Sequence, residues 1–582
     1  NSCRGLPARL LLAICILSTS AADDGPTVEL SSGAKIHGVY MEVDGQTVSA
    51  YLGVPFATAE RFAKPTLTET YEKDIEAIQP SKTCFQSKDE TYPGFDGAEM
   101  WNPPTDLSED CLSLNIWVPQ NPDGNVIVWI YGGGFFSGSP SLALYNGSVL
   151  AARTGAVFVT VNYRVGPFGF FYLGADSKPG NVGLLDQQTA LKWIHNNIEF
   201  FKGDPSKVTL FGESAGGASV TSHLLAPDSH SLFSKIIVNS GSIHNVWATR
   251  SPCTMLHISM KTAKALGCVE NYDFKIIREA EGRCTVLGGN VDKIYECMKE
   301  KTPDDIQSAG NSDAIYENML PMEWPFGPIT YDDNYFKGDV RRKLFNDEFK
   351  KDVSAIFGTV KDEGTFWLPY YLSDSGFSFF PDMGSDSEAN AAKIDESNYT
   401  ASMQAFEGYF GKSSKAIEIL KDGFKDLGDE ETMYRDGVAR FVGDLFFTCN
   451  LVEFVDHVAP KIDEAYMYYF KARSSANPWP KWMGVMHGYE IEYEFGYPFI
   501  NSAAYKEADK DQTISKEFMQ LIKEFVENGK FDGKWPKYNE EGKVMVIEDG
   551  TSSSIEDKNI QQKYCQIINE ARKAVIDEAK GN

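Results

Sequence analysis

A serine stands between two glycines in Gly212-Glu213-Ser214-Ala215-Gly216, directly after the apolar run 208–211. The glycines allow a turn too tight for larger side chains, and the turn lifts the serine hydroxyl away from the strand. A helix after such a turn aims its N-terminal amides at the reacting oxygen. The pattern predicts that Ser214 is a nucleophile that forms a covalent acyl intermediate.

Three successive glycines, Gly132, Gly133 and Gly134, follow the apolar run 126–130. Glycine lets backbone N–H groups approach a substrate oxygen with no Cβ in the way. We expect the amides of Gly133, Gly134 and Ala215 to form an oxyanion hole for a tetrahedral intermediate. Loss of one such donor typically costs about 2.7–4 kcal/mol of transition-state stabilisation.

The base and the acid should follow the serine, because the chain order in proteins with this turn is serine, acid, histidine. Of the eight histidines, only His457 and His487 lie far enough along the chain. His457 falls in a stretch with helical character, whereas His487 falls in a Gly-bounded loop beyond a predicted strand, which favours His487. Asp362 and Glu363 both follow another predicted strand, and the residues alone leave both open as the acid.

The elements that must position these residues are short β-branched and aromatic strands alternating with helices. Near-continuous apolar strands are typical of a mostly parallel sheet that is covered by helices on both faces. The fold class is therefore α/β, with one domain over residues 23–582. The segment 372–400 is expected to be a surface loop and 557–578 an amphipathic helix. The predicted strands are 125–130, 157–164, 208–211, 236–238, 353–360 and 465–470.

The first 22 residues have the pattern of a signal peptide. Arg4 and Arg9 precede the apolar stretch 10–17, and small residues at Ala21 and Ala22 suit a cleavage site. Eight apolar residues are too few to span a bilayer, and the C-terminal end is polar, so no membrane anchor is expected. The sequence therefore predicts a secreted, extracellular protein.

Cysteine and asparagine patterns agree with secretion. Ten cysteines are present, and removing Cys3 and Cys15 with the signal peptide leaves eight, which suggests four disulfides. Asn146 and Asn398 stand in glycosylation sequons. No metal site and no cofactor are predicted.

The formal net charge is −27. Such a negative chain is unsuited to binding nucleic acid or an anionic membrane. A negative potential can draw a cationic substrate toward a cleft.

Several stretches of the chain match a known family pattern: Gly53-Val54-Pro55-Phe56-Ala57, Glu99-Met100-Trp101-Asn102-Pro103, Ser108-Glu109-Asp110-Cys111-Leu112, Val128-Trp129-Ile130-Tyr131-Gly132-Gly133-Gly134-Phe135, Gly212-Glu213-Ser214-Ala215-Gly216-Gly217 and Trp482-Met483-Gly484-Val485-Met486-His487-Gly488-Tyr489-Glu490. With these residues the chain resembles the type-B carboxylesterase and cholinesterase family from about residue 25 to about residue 570, and within it the secreted acetylcholinesterases of nematodes. The resemblance implies an α/β-hydrolase fold and picks Glu363 as the acid of a Ser214, Glu363, His487 triad.

The family pattern also implies the disulfide pairing. In that pattern Cys253 and Cys284 have no partner, so they are expected to pair with each other. The implied family pairs are Cys84 with Cys111, Cys268 with Cys297 and Cys449 with Cys565.

The resemblance further implies a site for a choline head group. A quaternary ammonium cannot donate hydrogen bonds, so it must be held by aromatic faces and negative charge. Trp101 matches the position of the choline-binding indole, and Asp89 matches the acidic residue at the mouth of the cavity. The other residues carried over are Phe366 and Tyr370 on the wall, Glu213 beside the nucleophile, and Trp247, Met322 and Trp324 in the acyl pocket.

The function implied by the resemblance is hydrolysis of acetylcholine, a small choline ester, to choline and acetate through an acyl-serine intermediate. One alternative is a carboxylesterase of broad specificity. Another is a non-catalytic adhesion ectodomain of this family, which an intact triad argues against. We expect a monomer, with a non-covalent dimer as the alternative.

Overall fold

The computed structural model describes residues 25–174, 179–269, 275–278, 282–287, 290–317, 319–538, 542–548, 554–557 and 562–581. The predicted signal peptide lies outside these described residues. No helix in the described ranges is long and apolar enough to cross a membrane.

One large mixed sheet organises the molecule, and in the described part of the chain it has eleven strands. Seven neighbouring strands run parallel, and antiparallel strands extend the sheet at both edges. In spatial order the strands are Ser554–Asp557, Lys543–Ile547, Glu464–Phe470, Ser354–Val360, Lys235–Asn239, Val208–Glu213, Val126–Ile130, Val157–Val161, Ser113–Val118, Gln46–Pro55 and Val39–Val43.

The α/β fold is confirmed, and all six strands predicted from sequence belong to the parallel part of this sheet. Its central strands are buried along their length because helices cover both faces. Smaller sheets are formed by Thr27–Glu29 with Lys35–His37 and Ile75–Glu76, Ala57–Thr58 with Thr66–Leu67, Thr83–Cys84 with Leu107–Ser108, Lys275–Arg278 with Cys284–Leu287, and Tyr331–Asp332 with Gly338–Asp339.

Helices occupy most of the connections between the strands. The predicted loop 372–400 is wrong at its end, because a helix that Asp395 caps begins at Glu396. The α-helices are Asp96–Glu99, Ser148–Thr154, Gly166–Phe170, Val182–Asn197, Ala215–Leu225, Pro252–Ala265, Val291–Lys299, Pro303–Gly310, Asp313–Tyr316, Val340–Phe345, Leu368–Tyr371, Glu396–Ala405, Ser414–Gly423, Met433–Gly443, Cys449–Val458, Ile491–Glu494, Tyr497–Ile500, Ala508–Asn528 and Gln562–Gly581, and Asp444–Thr448 is a π-helix.

The sheet order explains how distant residues meet. Carboxyl ends of parallel strands lie at one edge of a sheet, and loops there carry the functional groups of open α/β proteins. Ser214 follows the strand Val208–Glu213, and Glu363 comes three residues after Val360, which ends its strand. His487 lies on the loop beyond the strand Glu464–Phe470. All three candidate residues therefore belong to the same edge.

Disulfides hold the outer segments of the fold. Within the described residues four are formed, and they join the pairs that were expected from the sequence. They are Cys84–Cys111, Cys253–Cys284, Cys268–Cys297 and Cys449–Cys565.

Candidate active site

Ser214 lies in a strained turn between the strand Val208–Glu213 and the helix Ala215–Leu225. Its φ of 56° and ψ of −121° are rare for a residue with a Cβ. The flanking glycines are required by close backbone contacts, since a Cβ at Gly216 would lie 1.9 Å from the Ile130 carbonyl oxygen. The turn thus presents the hydroxyl at the helix N-terminus, as a nucleophile needs.

His487 and Glu363 form a buried hydrogen-bonded pair, with 2.7 Å between Nδ1 and Oε2. The other oxygen of Glu363 accepts from Ser240 Oγ at 2.6 Å, Thr359 Oγ1 at 2.7 Å and the Val360 amide at 3.0 Å. These contacts fix the carboxylate, which orients the imidazole with its proton on Nδ1. Nε2 is thereby left as the nitrogen that can accept a proton.

The pKa of His487 is set by opposing effects. Burial acts to lower it, but the nearby Glu213 carboxylate and the hydrogen bond to Glu363 outweigh burial and raise it. Nε2 lies 3.1 Å from Glu213 Oε1 and makes no hydrogen bond within the described residues. The imidazole is therefore poised to gain a proton, with two carboxylates to stabilise its charged form.

Ser214 and His487 line the same cavity, whose volume is about 300 Å³. Gly132 and Gly133 also line it, so the glycine-rich loop faces the serine. Gly133 has φ of 115°, and a Cβ there would lie 2.4 Å from the Ser137 carbonyl oxygen. No hydrogen bond from the Gly133 or Gly134 amide occurs in the part of the chain that the structure describes. The Ala215 amide, at the first position of its helix, has no partner within that helix.

An aromatic and acidic wall forms the rest of the cavity. It includes five residues that were predicted to bind substrate: Trp101, Glu213, Phe366, Tyr370 and Asp89. The Tyr370 hydroxyl donates to Asp89 Oδ2 at 2.9 Å, which fixes that carboxylate at the wall. Burial raises the pKa of Glu213, His487 partly opposes that rise, and Glu363 adds to it. Ring faces beside two carboxyl groups suit an organic cation.

The three predicted acyl-pocket residues are buried, and their role in an acyl pocket stays a prediction. Trp247, Met322 and Trp324 are buried, and the residues that line the cavity do not include them. Trp324 packs against two wall residues, with ring centroids 5.4 Å from Phe136 and 5.6 Å from Trp367. Trp247 packs against Trp324, with 5.9 Å between the ring centroids.

The alternative candidates occupy other environments. His457 lies on the helix Cys449–Val458, where its Nε2 bonds to the Leu344 carbonyl at 2.8 Å. Asp362 accepts a hydrogen bond from the Val485 amide at 2.9 Å instead of contacting His487. Of the two adjacent carboxylates, only Glu363 is hydrogen-bonded to the imidazole.

Some contacts of the site were not foreseen from the sequence. Phe447, in the π-helix Asp444–Thr448, packs on His487 with 4.2 Å between ring centroids, and Trp367 packs on it at 5.6 Å. Trp367 could have been found, since it follows Phe366 directly. Phe447 and Ser240 come from distant segments with no motif of their own.

The two sequons lie in partly buried surroundings. Asn146 is half-buried, and its side-chain oxygen accepts from the Ser148 amide at 3.0 Å. The side-chain nitrogen of Asn398 donates to the Ser375 carbonyl at 3.1 Å. Glycosylation at either residue stays a prediction.

Comparison with known proteins places the chain. The model of the carboxylesterase family matches residues 24–568, nearly the whole chain. The chain belongs to the carboxylesterase family. It is therefore a carboxylic-ester hydrolase with an α/β-hydrolase fold, and its family supports serine esterase activity.

Curated relatives in this family are similar over most of their length. Acetylcholinesterase 4 of Caenorhabditis briggsae is 35% identical over 592 aligned residues, covering 96% of this chain and 92% of the relative. An acetylcholinesterase of Bungarus fasciatus is 35% identical, covering 91% of this chain and 85% of the relative. A cholinesterase of Mus musculus is 34% identical, covering 96% and 88%.

Proposed function

We propose that this carboxylesterase-family protein hydrolyses acetylcholine to choline and acetate through an acetyl-serine intermediate. The observation that supports choline as the leaving group is that the Trp101 indole and the Glu213 carboxylate both lie close to the residue that follows the base His487. A Cβ at Gly488, the residue after His487, would lie 3.0 Å from the Trp101 ring and 3.8 Å from Glu213 Oε1. A choline ester whose ammonium group is bound between them would have its ester group held near Ser214.

In the first half-reaction, Ser214 Oγ attacks the ester carbonyl carbon while His487 Nε2 takes the hydroxyl proton. The amides of Gly133, Gly134 and Ala215 receive the oxygen that becomes negative. The carbon–oxygen bond to choline then breaks, and the imidazolium returns the proton to the leaving oxygen. Choline departs and the acetyl group stays on Ser214.

In the second half-reaction, His487 takes a proton from water as the water oxygen attacks the acetyl carbon. The same oxyanion hole holds the second tetrahedral intermediate. Collapse breaks the bond to Ser214 Oγ, which regains a proton from the imidazolium, and acetate leaves. Glu363 stabilises the imidazolium in both halves and keeps its orientation.

We further propose that the protein is a secreted, single-domain monomer from which residues 1–22 are cleaved. Four disulfides support an oxidising compartment, since such bonds are rare in the reducing cytosol.

The test compares a charged and an uncharged substrate of the same shape. Acetylthiocholine carries a trimethylammonium group, and 3,3-dimethylbutyl thioacetate replaces it with a neutral tert-butyl group. A cation over an indole is worth about 0.5–2 kcal/mol, which is up to about thirtyfold in affinity. Trp101→Ala should raise KM for acetylthiocholine by up to this factor more than for the neutral ester.

Trp101→Phe is the matched control, since it keeps a ring face and should recover most of the discrimination. Equal losses on both substrates in Trp101→Ala would contradict the cation site. Wild-type protein that cleaves both esters with equal kcat/KM would instead support a carboxylesterase of broad specificity.

A further inference from the structure

Two segments that carry candidate catalytic residues are tied together beside the site. The Asp362 amide donates to the Val485 carbonyl at 2.9 Å, and the Val485 amide donates back to Asp362 Oδ2 at 2.9 Å. Glu363 is the next residue along one segment, and His487 lies two residues beyond Val485 on the other. The reciprocal pair therefore lies one and two residues away from the bond between Glu363 and His487.

The Asp362 carboxylate fits closely against the loop of His487. Gly484 has φ of 62° and ψ of −135°, and a Cβ there would lie 2.0 Å from Asp362 Oδ2. Thr365 Oγ1 lies within hydrogen-bond distance of the Met483 carbonyl oxygen at 2.6 Å and of the Asp362 carbonyl oxygen at 2.8 Å, and its single proton is shared between them. The Arg473 guanidinium also donates to the Gly484 carbonyl. The loop is thus held at Met483, Gly484 and Val485, directly before His487.

We propose that Asp362 is a positioning residue for ester hydrolysis, whose carboxylate holds the loop of His487 so that the imidazole meets Glu363 and Ser214. The proposal rests on the proposed roles of those three residues. Asp362 touches neither the imidazole nor the cavity in the described contacts, so it acts through Val485. The two adjacent acids then have different roles. The Glu363 carboxylate bonds the imidazole of His487, and the Asp362 carboxylate bonds the loop that carries it.

The direct test is the pair Asp362→Ala and Asp362→Asn, with phenyl acetate as a substrate that needs no choline site. Alanine removes the acceptor for the Val485 amide but leaves the backbone bond, so the loop should be displaced and not lost. Misplacement of a catalytic group by about 1 Å can cost about 100-fold. We expect kcat of Asp362→Ala to fall about 10- to 100-fold with KM within about twofold. Asparagine keeps an acceptor oxygen and should stay within about threefold of wild type.

The pH profile separates positioning from general damage. The hydrogen bond to Glu363 helps to raise the pKa of His487, and Glu213 does so independently. If the imidazole moves away from Glu363, its pKa falls, so the acidic limb of kcat/KM should shift to lower pH in Asp362→Ala. A merely destabilised protein would lower the profile without shifting it. Ile356→Val, in the adjoining strand Ser354–Val360, is the control for general destabilisation.

A double-mutant cycle with Glu363→Gln tests whether Asp362 acts through the acid–base pair. If it does, adding Asp362→Ala to Glu363→Gln should cost less than about threefold. Additive losses, or Asp362→Ala with wild-type kcat and an unshifted profile, would overturn the proposal. Should Asp362→Ala fail to accumulate as folded protein, Asp362→Ser gives a second test, since it removes both carboxylate oxygens and keeps a small polar side chain. Ser214→Ala, measured alongside, distinguishes failure of this proposal from failure of the proposed function. Esterase activity that is retained in Ser214→Ala would reject the catalytic triad itself.

Discussion

Replacing Glu363 by glutamine should prevent His487 from acting as the base, because the substitution changes which ring nitrogen carries the proton. One carboxylate oxygen of Glu363 accepts three hydrogen bonds, from Ser240 Oγ, Thr359 Oγ1 and the Val360 amide. An amide NH₂ cannot face three donors, so the glutamine oxygen must take that place. The NH₂ group then faces His487 Nδ1, which has to become an acceptor. The proton moves to Nε2, and the nitrogen that should accept the serine proton is blocked.

The magnitude follows from this geometry. An acid-to-amide change that leaves the wrong tautomer lowers kcat by about 10⁴ in another serine triad. We expect Glu363→Gln to lower kcat for acetylthiocholine and for phenyl acetate by a similar factor, with KM little changed. Steady-state kinetics across pH, with thermal unfolding as a check on folding, measures this. Glu363→Asp is the control. Aspartate keeps the negative charge and the two carboxylate oxygens that accept hydrogen bonds, so kcat should fall much less.

Activity of Glu363→Gln within about tenfold of wild type would exclude a change of tautomer at His487, because the wrong tautomer lowers kcat by about 10⁴. Equal losses in Glu363→Gln and Glu363→Asp would also contradict it. In that case distance, and not the position of the proton, would control the base.

Two further predictions concern neighbouring groups. Glu213 raises the pKa of His487. Because activity needs the neutral imidazole, it is lost as pH falls through a pKa that lies above the ordinary value for histidine. Glu213→Gln should therefore move the acidic limb of the kcat/KM profile to lower pH, and an unmoved limb would contradict this. Gly133→Ala would place a Cβ 2.4 Å from the Ser137 carbonyl oxygen. The displaced loop should lower kcat by about 10²–10³, as loss of one oxyanion donor does. Wild-type kcat in folded Gly133→Ala would show that this amide is not a donor to the oxyanion.

The core of the fold was predictable because its strands are short, buried and β-branched. Each of the six predicted strands overlaps a parallel strand of the main sheet. The outermost antiparallel strand Val39–Val43 was not predicted, because its half-exposed residues carry a weak apolar pattern. The antiparallel strands Gln46–Pro55 and Ser113–Val118 were also not predicted, although they are largely buried. The predicted loop 372–400 overlaps the first half of the helix Glu396–Ala405, because the polar residues of that helix hide the period of its buried side.

Some residues of the candidate site could likewise be predicted from the sequence, whereas others depend on tertiary contacts. Local chemistry marked Ser214 and the glycine loop, and chain order with a family resemblance marked His487. The choice between Asp362 and Glu363 depends on which carboxylate reaches the imidazole, and that is a tertiary contact. The packing of Trp324 against Phe136 and Trp367 is likewise a tertiary contact that the sequence does not reveal.

Mass spectrometry of the protein during turnover shows whether Ser214 carries the acyl group. The protein is mixed with p-nitrophenyl acetate, quenched in acid within the first turnovers, digested and analysed. We expect one added acetyl group on the peptide that contains Ser214, and none in Ser214→Ala, whose kcat should fall by about 10⁶. An acetyl group on another residue, or turnover in Ser214→Ala within about tenfold of wild type, would contradict it.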